Sequence, residues 1–292
     1  MSKQVKILLQ TTIPYTEDDW HIGRFSLLTE YLRSLKNPDG GYLYDVTARD
    51  RQNDDRGIDP VLSSLDTSDF DQLWLFAVDV GDGLAADECR AITGFMKRGG
   101  GLLTARDHND LGSSLCSLGG IGSAHYFHSK NQDPDEERHS RDDNITLNID
   151  WPNYHSGANG DYQVIKAADH ELLRRSDGSL IEYFPAHPHE GAVGLPGDHP
   201  TAQIIAAGTS RITLRPFNLL VSFDSFVDSD GKLWGRGIAE SSFHHLVDYN
   251  WDTDSECPTF VEERPGDGYK RDPEKLDDIR QFVANAAKWL ST

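Results

Sequence analysis

The segment Gln72 to Val80, QLWLFAVDV, is apolar almost without a break and reaches its first charge at Asp79. A strand with one wet face alternates apolar and polar residues, so a run like this suits a strand covered on both sides. Leu84 to Lys97 then carries apolar residues at helical spacing, and Gly99-Gly100 stops that helix. Gly101 to Ala105 is a second apolar run, and Leu111 to Leu118 continues as a short helix. Strand, helix, strand, helix with short joints predicts an α/β fold: a mostly parallel open sheet flanked by helices.

The flanking sequence extends this pattern. Val5 to Ile13 reads as a first strand, Trp20 to Leu35 as a helix with Phe25, Leu28, Leu32 and Leu35 on one face, and Tyr44 to Ala48 as another strand. Asp59-Pro60 opens a short helix. TAQIIAAG, FNLLVSFDS and KLWGRGIAESS read as late strands, with a turn at Asp230-Gly231, and Asp277 to Leu290 as a closing amphipathic helix. Between them, residues 119–200 are irregular and rich in His, Asn, Gly and Pro. They are expected to form a loop-rich insertion over the strand ends. With no repeat and no linker, residues 1–292 read as a single α/β domain.

A formal charge of −20 repels phosphate backbones and argues against a nucleic-acid partner. The acidic runs DRQNDDRGIDP and DPDEERHSRDD, and the stretch Asp248 to Asp267, read as solvated loops. The apolar run in KQVKILLQTTI is too short for a signal peptide or membrane span. Cys89, Cys116 and Cys257 have no paired spacing, the pattern of reduced thiols in a cytoplasmic protein. A homo-oligomer is left open.

In open α/β sheets, ligands bind beyond the carboxyl ends of the strands. The expected ends collect Thr11 and Thr12, Asp79, the bend TARDHNDLG with Arg106, Asp107, His108 and Asp110, and the segment Ser241, Ser242, His244 and His245. His21 and Arg24 follow the first strand. Helix capping accounts for one of the polar residues in TARDHNDLG and leaves the others unexplained. Within YFPAHPHEG, His187 and His189 stand two apart and point the same way on an extended backbone, beside Glu190. Two imidazoles and a carboxylate suit Zn²⁺, Mn²⁺ or Fe²⁺; solvated histidines on a proline-stiffened loop are the plainer alternative. His244 and His245, being adjacent, face opposite sides unless the chain bends after Ser242, a candidate N-cap. His155 in NYHSGANGD sits among turns able to form an anion-binding nest. Arg24 is either an anchor for an anion or half of a surface salt bridge.

The order VKILLQTTI, QLWLFAVDV, GFMKRGGGLLTARDH and GRGIAESSFHH resembles the class I glutamine amidotransferase-like superfamily, nearest its trehalose-utilisation (ThuA-like) branch. The likeness covers residues 3–118 and 200–250, not the insertion, and implies a flavodoxin-like sheet. In true amidotransferases the bend carries a nucleophilic Cys that a His after a late strand activates. His244, preceded by Phe243, matches that His, but the nucleophile position falls at Arg106 or Asp107. Cys116 lies about two turns further along, so the resemblance implies no thiolate glutaminase chemistry. ThuA-like members similarly lack the Cys, and some resemble sugar-processing or metal-assisted enzymes.

Three functions remain. The first is a metal-dependent hydrolase (or lyase or isomerase) acting on a small polar or sugar-derived substrate. Its ligands would come from His187, His189, Glu190 and His245, with His244 or His108. Asp107 or Asp110 would serve as base or orienting group, and His21, Arg24, Arg106 and His155 would bind substrate. The second is metal-free acid/base catalysis by His244 and Asp107. The third is a non-catalytic ligand-binding or interaction module. The density of His and Asp at strand ends favours an enzyme.

Overall fold

The computed structural model describes residues 3–197 and 199–291. Strands β1 (Val5–Thr11), β2 (Tyr44–Arg49), β3 (Gln72–Phe76), β4 (Gly101–Ala105), β5 (Lys166–Ala167), β6 (Ala202–Thr209), β7 (Pro216–Phe223) and β8 (Gly237–Glu240) form one sheet in the order β2-β1-β3-β4-β8-β7-β6-β5. The five strands β2, β1, β3, β4 and β8 run parallel, and β7, β6 and β5 add an antiparallel edge. The parallel order is that of the flavodoxin-like fold, and the expected α/β architecture is present.

Period-two alternation explains the two cores. Leu9, Trp74 and Leu103 are in register across β1, β3 and β4 on one face; Leu8, Leu73 and Leu102 are in register on the other. The first face packs under α1 (Ser26–Ser34), through Leu28 and Leu32, and under α3 (Leu276–Trp289), through Ile279, Phe282, Val283 and Ala286. The second packs under α2 (Ala86–Met96), through Cys89, Ile92, Phe95 and Met96. Both faces of β3 are buried, which is why QLWLFAVDV lacks alternation; the edge strand β2 keeps one exposed face. No helix among the described residues is long and apolar enough to cross a membrane.

One expectation gains detail and another needs correction. The insertion is less irregular than its composition implied: besides β5 it holds two small antiparallel pairs, Tyr162–Val164 with Tyr183–Pro185, and His125–Tyr126 with Ala192–Val193. Its Trp151, Tyr154 and Phe184 are buried, and Tyr154 stacks on Phe217 of β7. The acidic runs are not simply solvated either. Asp59 is buried and paired with Arg49, and buried Glu88 holds Arg51. In the second run Asp142 and Asp143 are buried. A carboxylate count cannot reveal which members have a guanidinium or backbone N–H waiting in the fold.

Candidate active site

The bend after β4 is built to hold its side chains still. Arg106 is fully buried, with its guanidinium 4.1 Å from the Phe127 ring centre. It donates to the carbonyls of Asn109 at 2.6 Å and Leu111 at 3.3 Å. Asn109 adopts φ 48° and Gly112 φ 79°. A Cβ at Gly112 would lie 2.8 Å from Ala77, so only glycine fits. Asp79 braces the bend from β3: its carbonyl accepts from Gly112 N, and its carboxylate accepts from Thr12 and Ser114. Arg106, expected to bind substrate, is thus a strut beneath the site.

On this bend, Asp107 and His108 enter a cavity of about 430 Å³ that His187, His189 and His244 also line. His244 arrives from the turn after β8. Ser242 caps that turn by accepting from His244 N at 3.2 Å, as the sequence suggested. His187 and His189 arrive from the insertion, which presses so closely that a Cβ at Gly191 would meet the carbonyl oxygens of Asp107 and Ser241 at 2.5 Å. The carboxylate of Asp107 is the centre. His108 Nδ1 lies 3.0 Å from it, His187 Nε2 3.3 Å and His244 Nε2 3.4 Å. The His187 and His244 rings stack at 3.6 Å.

These contacts are close without being hydrogen bonds. His108 Nδ1 and His187 Nε2 are buried beside the carboxylate with no hydrogen-bond partner among the described residues. One ligand atom each from Asp107, His108 and His187 lies within 4.8 Å of the others, the spacing of a group able to hold a metal ion. Asn159 explains the orientation of His187. Its amide oxygen lies 2.9 Å from Nδ1 and only accepts, so Nδ1 carries the proton and the Nε2 lone pair faces Asp107. His189 stands between Asn153 Oδ1 at 3.1 Å and Glu263 Oε1 at 2.8 Å.

The electrostatics agree with this arrangement. Burial alone raises the Asp107 carboxyl, but the neighbouring imidazoles, His108 first and then His244, outweigh it and hold the group well below the ordinary range. Burial, reinforced by His244, drives His187 well below its usual value, which keeps its Nε2 lone pair free. The hydrogen bond from His189 lowers Glu263.

Other residues expected at the site lie elsewhere. His245 turns away from His244. Its Nδ1 is 2.9 Å from Glu240 and its Nε2 3.1 Å from Glu190, with all three side chains fully buried. Ser156 and Gln163 also donate to Glu190. Glu190 and His245 are therefore partners of each other rather than of His187 and His189, because adjacent residues on both segments point to opposite sides. Asp110 accepts from Ser129 N, securing a loop. His21 caps a short turn by accepting from Gly23 N. Arg24 is paired with Glu256. Neither His21, Arg24 nor His155 is among the residues lining the cavity. Conversely, Trp20, Asn159, Phe260 and Glu263 line it without any sequence pattern that singles them out. Asn159 lies inside NYHSGANGD, four residues beyond His155, and Glu263 lies in the acidic stretch Asp248 to Asp267, where no spacing distinguishes it from its neighbours.

No protein-family model matches the chain, and no curated protein matches it. Solved structures overlap it along nearly its whole length. A ThuA-like protein from Parabacteroides merdae is 15% identical, with 99% of this chain and 91% of that chain covered at a TM-score of 0.48. The mmIFT52 N-terminal domain is 11% identical, with 96% and 97% covered and a TM-score of 0.46. SMU.1228c is 12% identical, with 97% and 100% covered and a TM-score of 0.41. At these scores the fold stands on its own strand order.

Proposed function

We propose that the protein is a metal-dependent enzyme, a hydrolase in the first instance, with Asp107, His108 and His187 as the metal-holding group and His244 beside it. The observation that carries this reading is the pair of buried imidazole nitrogens, His108 Nδ1 and His187 Nε2, crowded onto one carboxylate without hydrogen bonds. Buried polar groups are nearly always satisfied, and exceptions cluster where a ligand belongs. Two imidazoles and a carboxylate suit Zn²⁺, Mn²⁺ or Fe²⁺. This set shares His187 and the alternative ligand His108 with the one expected from sequence, and has Asp107 in place of His189, Glu190 and His245.

A divalent ion supplies Lewis acidity and makes hydroxide available near neutral pH. The protein's own groups do the rest. Asn159 fixes the His187 tautomer. His189, hydrogen-bonded to Glu263 on the cavity wall, would serve as proton donor to a leaving group. Trp20 and Phe243 pack on the His244 ring and limit water at that side. A lyase or isomerase reaction would draw on the same groups.

The test is elemental analysis of untagged protein, followed by titration with zinc, manganese and ferrous ions. We expect about one ion per chain, lost in Asp107→Asn and His187→Ala. Wild-type protein that holds no metal and gains none on titration overturns the proposal.

A further inference from the structure

We propose that this cavity selects a small organic cation, an amine-bearing molecule with an apolar body, and rejects anions; this rests on reading the cavity as a reaction site. Three carboxylates line it, Asp19, Asp107 and Glu263, and no lysine or arginine does among the described residues. The arginines nearest in sequence are committed elsewhere, Arg24 to Glu256 and Arg106 to backbone carbonyls. A dication on Asp107 offsets two of those three negative charges and leaves the wall negative. The whole chain, at −20, adds to the same potential.

Asp19 is the carboxylate available to a ligand. It accepts from the backbone N–H of Trp20 at 2.7 Å and has no cationic partner among the described residues. Glu263 is already engaged by His189. Beside Asp19, Trp20 meets Phe260 edge to face at 6.5 Å. Phe260 and Val80 both line the cavity while remaining 56% and 77% exposed. Apolar side chains left open in a concave site bind the apolar part of a ligand, and aromatic faces attract an ammonium group. The acidic residues do not stand alone as evidence of a site: His187, buried in the same cavity, has an unpartnered Nε2.

Calorimetric titration at neutral pH with benzylamine, benzyl alcohol and benzoate tests the proposal on the full chain, once with chelator and once metal-loaded. Chelated protein isolates the walls, because benzoate can bind a metal directly. We expect benzylamine to bind about tenfold more tightly than benzyl alcohol, with benzoate weakest. Asp19→Asn should reduce that preference severalfold, most in metal-loaded protein, where the ion offsets the charges of Asp107 and Glu263; measurable benzyl alcohol binding by the variant reports an intact cavity. Asp55→Asn, at an exposed acid outside the cavity, should keep the preference. Benzoate matching benzylamine in chelated protein, a preference unchanged by Asp19→Asn in metal-loaded protein, or no binding of any probe at millimolar concentration each overturns the inference. Failure of the metal titration with the amine preference intact would remove only the earlier proposal; metal binding without that preference would remove only this one.

Discussion

His244 and His245 are adjacent in the chain, equally buried and chemically identical, yet the fold uses them in opposite ways. His245 has a glutamate on each nitrogen and sits sealed between β8 and the insertion. His244 faces the cavity, stacked on His187, and its Nδ1 has no hydrogen-bond partner among the described residues. Both clusters combine imidazole and carboxylate. What separates them is completeness: one satisfies its histidine internally, and the other leaves nitrogens for something to be added. A histidine near a carboxylate is therefore weak evidence of function until its partners are counted.

The largest expected effect separates the two neighbours directly. His245→Ala should destabilise the fold by about 3–5 kcal/mol, the cost of breaking a buried ion pair. His244→Ala should cost markedly less in the same denaturant titration; equal losses would erase the distinction. The pH dependence sharpens it. Burial opposes the charge on His245, but Glu190 and Glu240 outweigh it and raise its pKa to about 10. Its folded value lies above its unfolded one, so the stabilisation is complete below the unfolded value of about 6.5 and is lost as pH rises toward about 10. The stability gap between wild type and His245→Gln should narrow over that window. A gap that widens instead contradicts a protonated His245.

The incomplete cluster yields the next effect. Asn159→Ala frees the His187 tautomer and should weaken metal binding by about 10–100-fold, read by competition with a chromophoric chelator, with the unfolding midpoint little changed. Gly191→Ala tests how the insertion reaches the site. Its Cβ would strike two carbonyl oxygens, so a loss of about 1–3 kcal/mol is expected, together with weaker metal binding as His187 is displaced. Arg24→Ala should be smallest, under about 1 kcal/mol for a salt bridge to an exposed glutamate, and should leave metal binding unchanged. A large binding loss there would restore Arg24 to the site.

The parallel sheet was legible because burial on both faces writes itself into sequence as unbroken apolar runs, QLWLFAVDV above all. The bend was legible for a related reason: RGGG, an apolar strand and a sudden cluster of polar residues leave few alternatives. The insertion was not, because its strands are two or three residues long and their pairing partners lie far along the chain. In the site, period-two reasoning placed His187 and His189 on one side and split His244 from His245. It could not say that Glu190 and His245 would meet behind them, nor that Asn159 and Glu263 would close the cavity. Those contacts depend on how the insertion docks, which no local spacing encodes.

Because Asp107 and His108 sit on the bend after β4 while His187 belongs to the insertion, an ion shared among them would clamp two parts of the chain together. Occupancy and docking are then thermodynamically linked: an ion at a hundredfold its dissociation constant adds about 2.7 kcal/mol to whatever holds the insertion down. Under the proposed metal binding, protease resistance of residues 119–200 would gauge how full the site is, readable before any substrate is known.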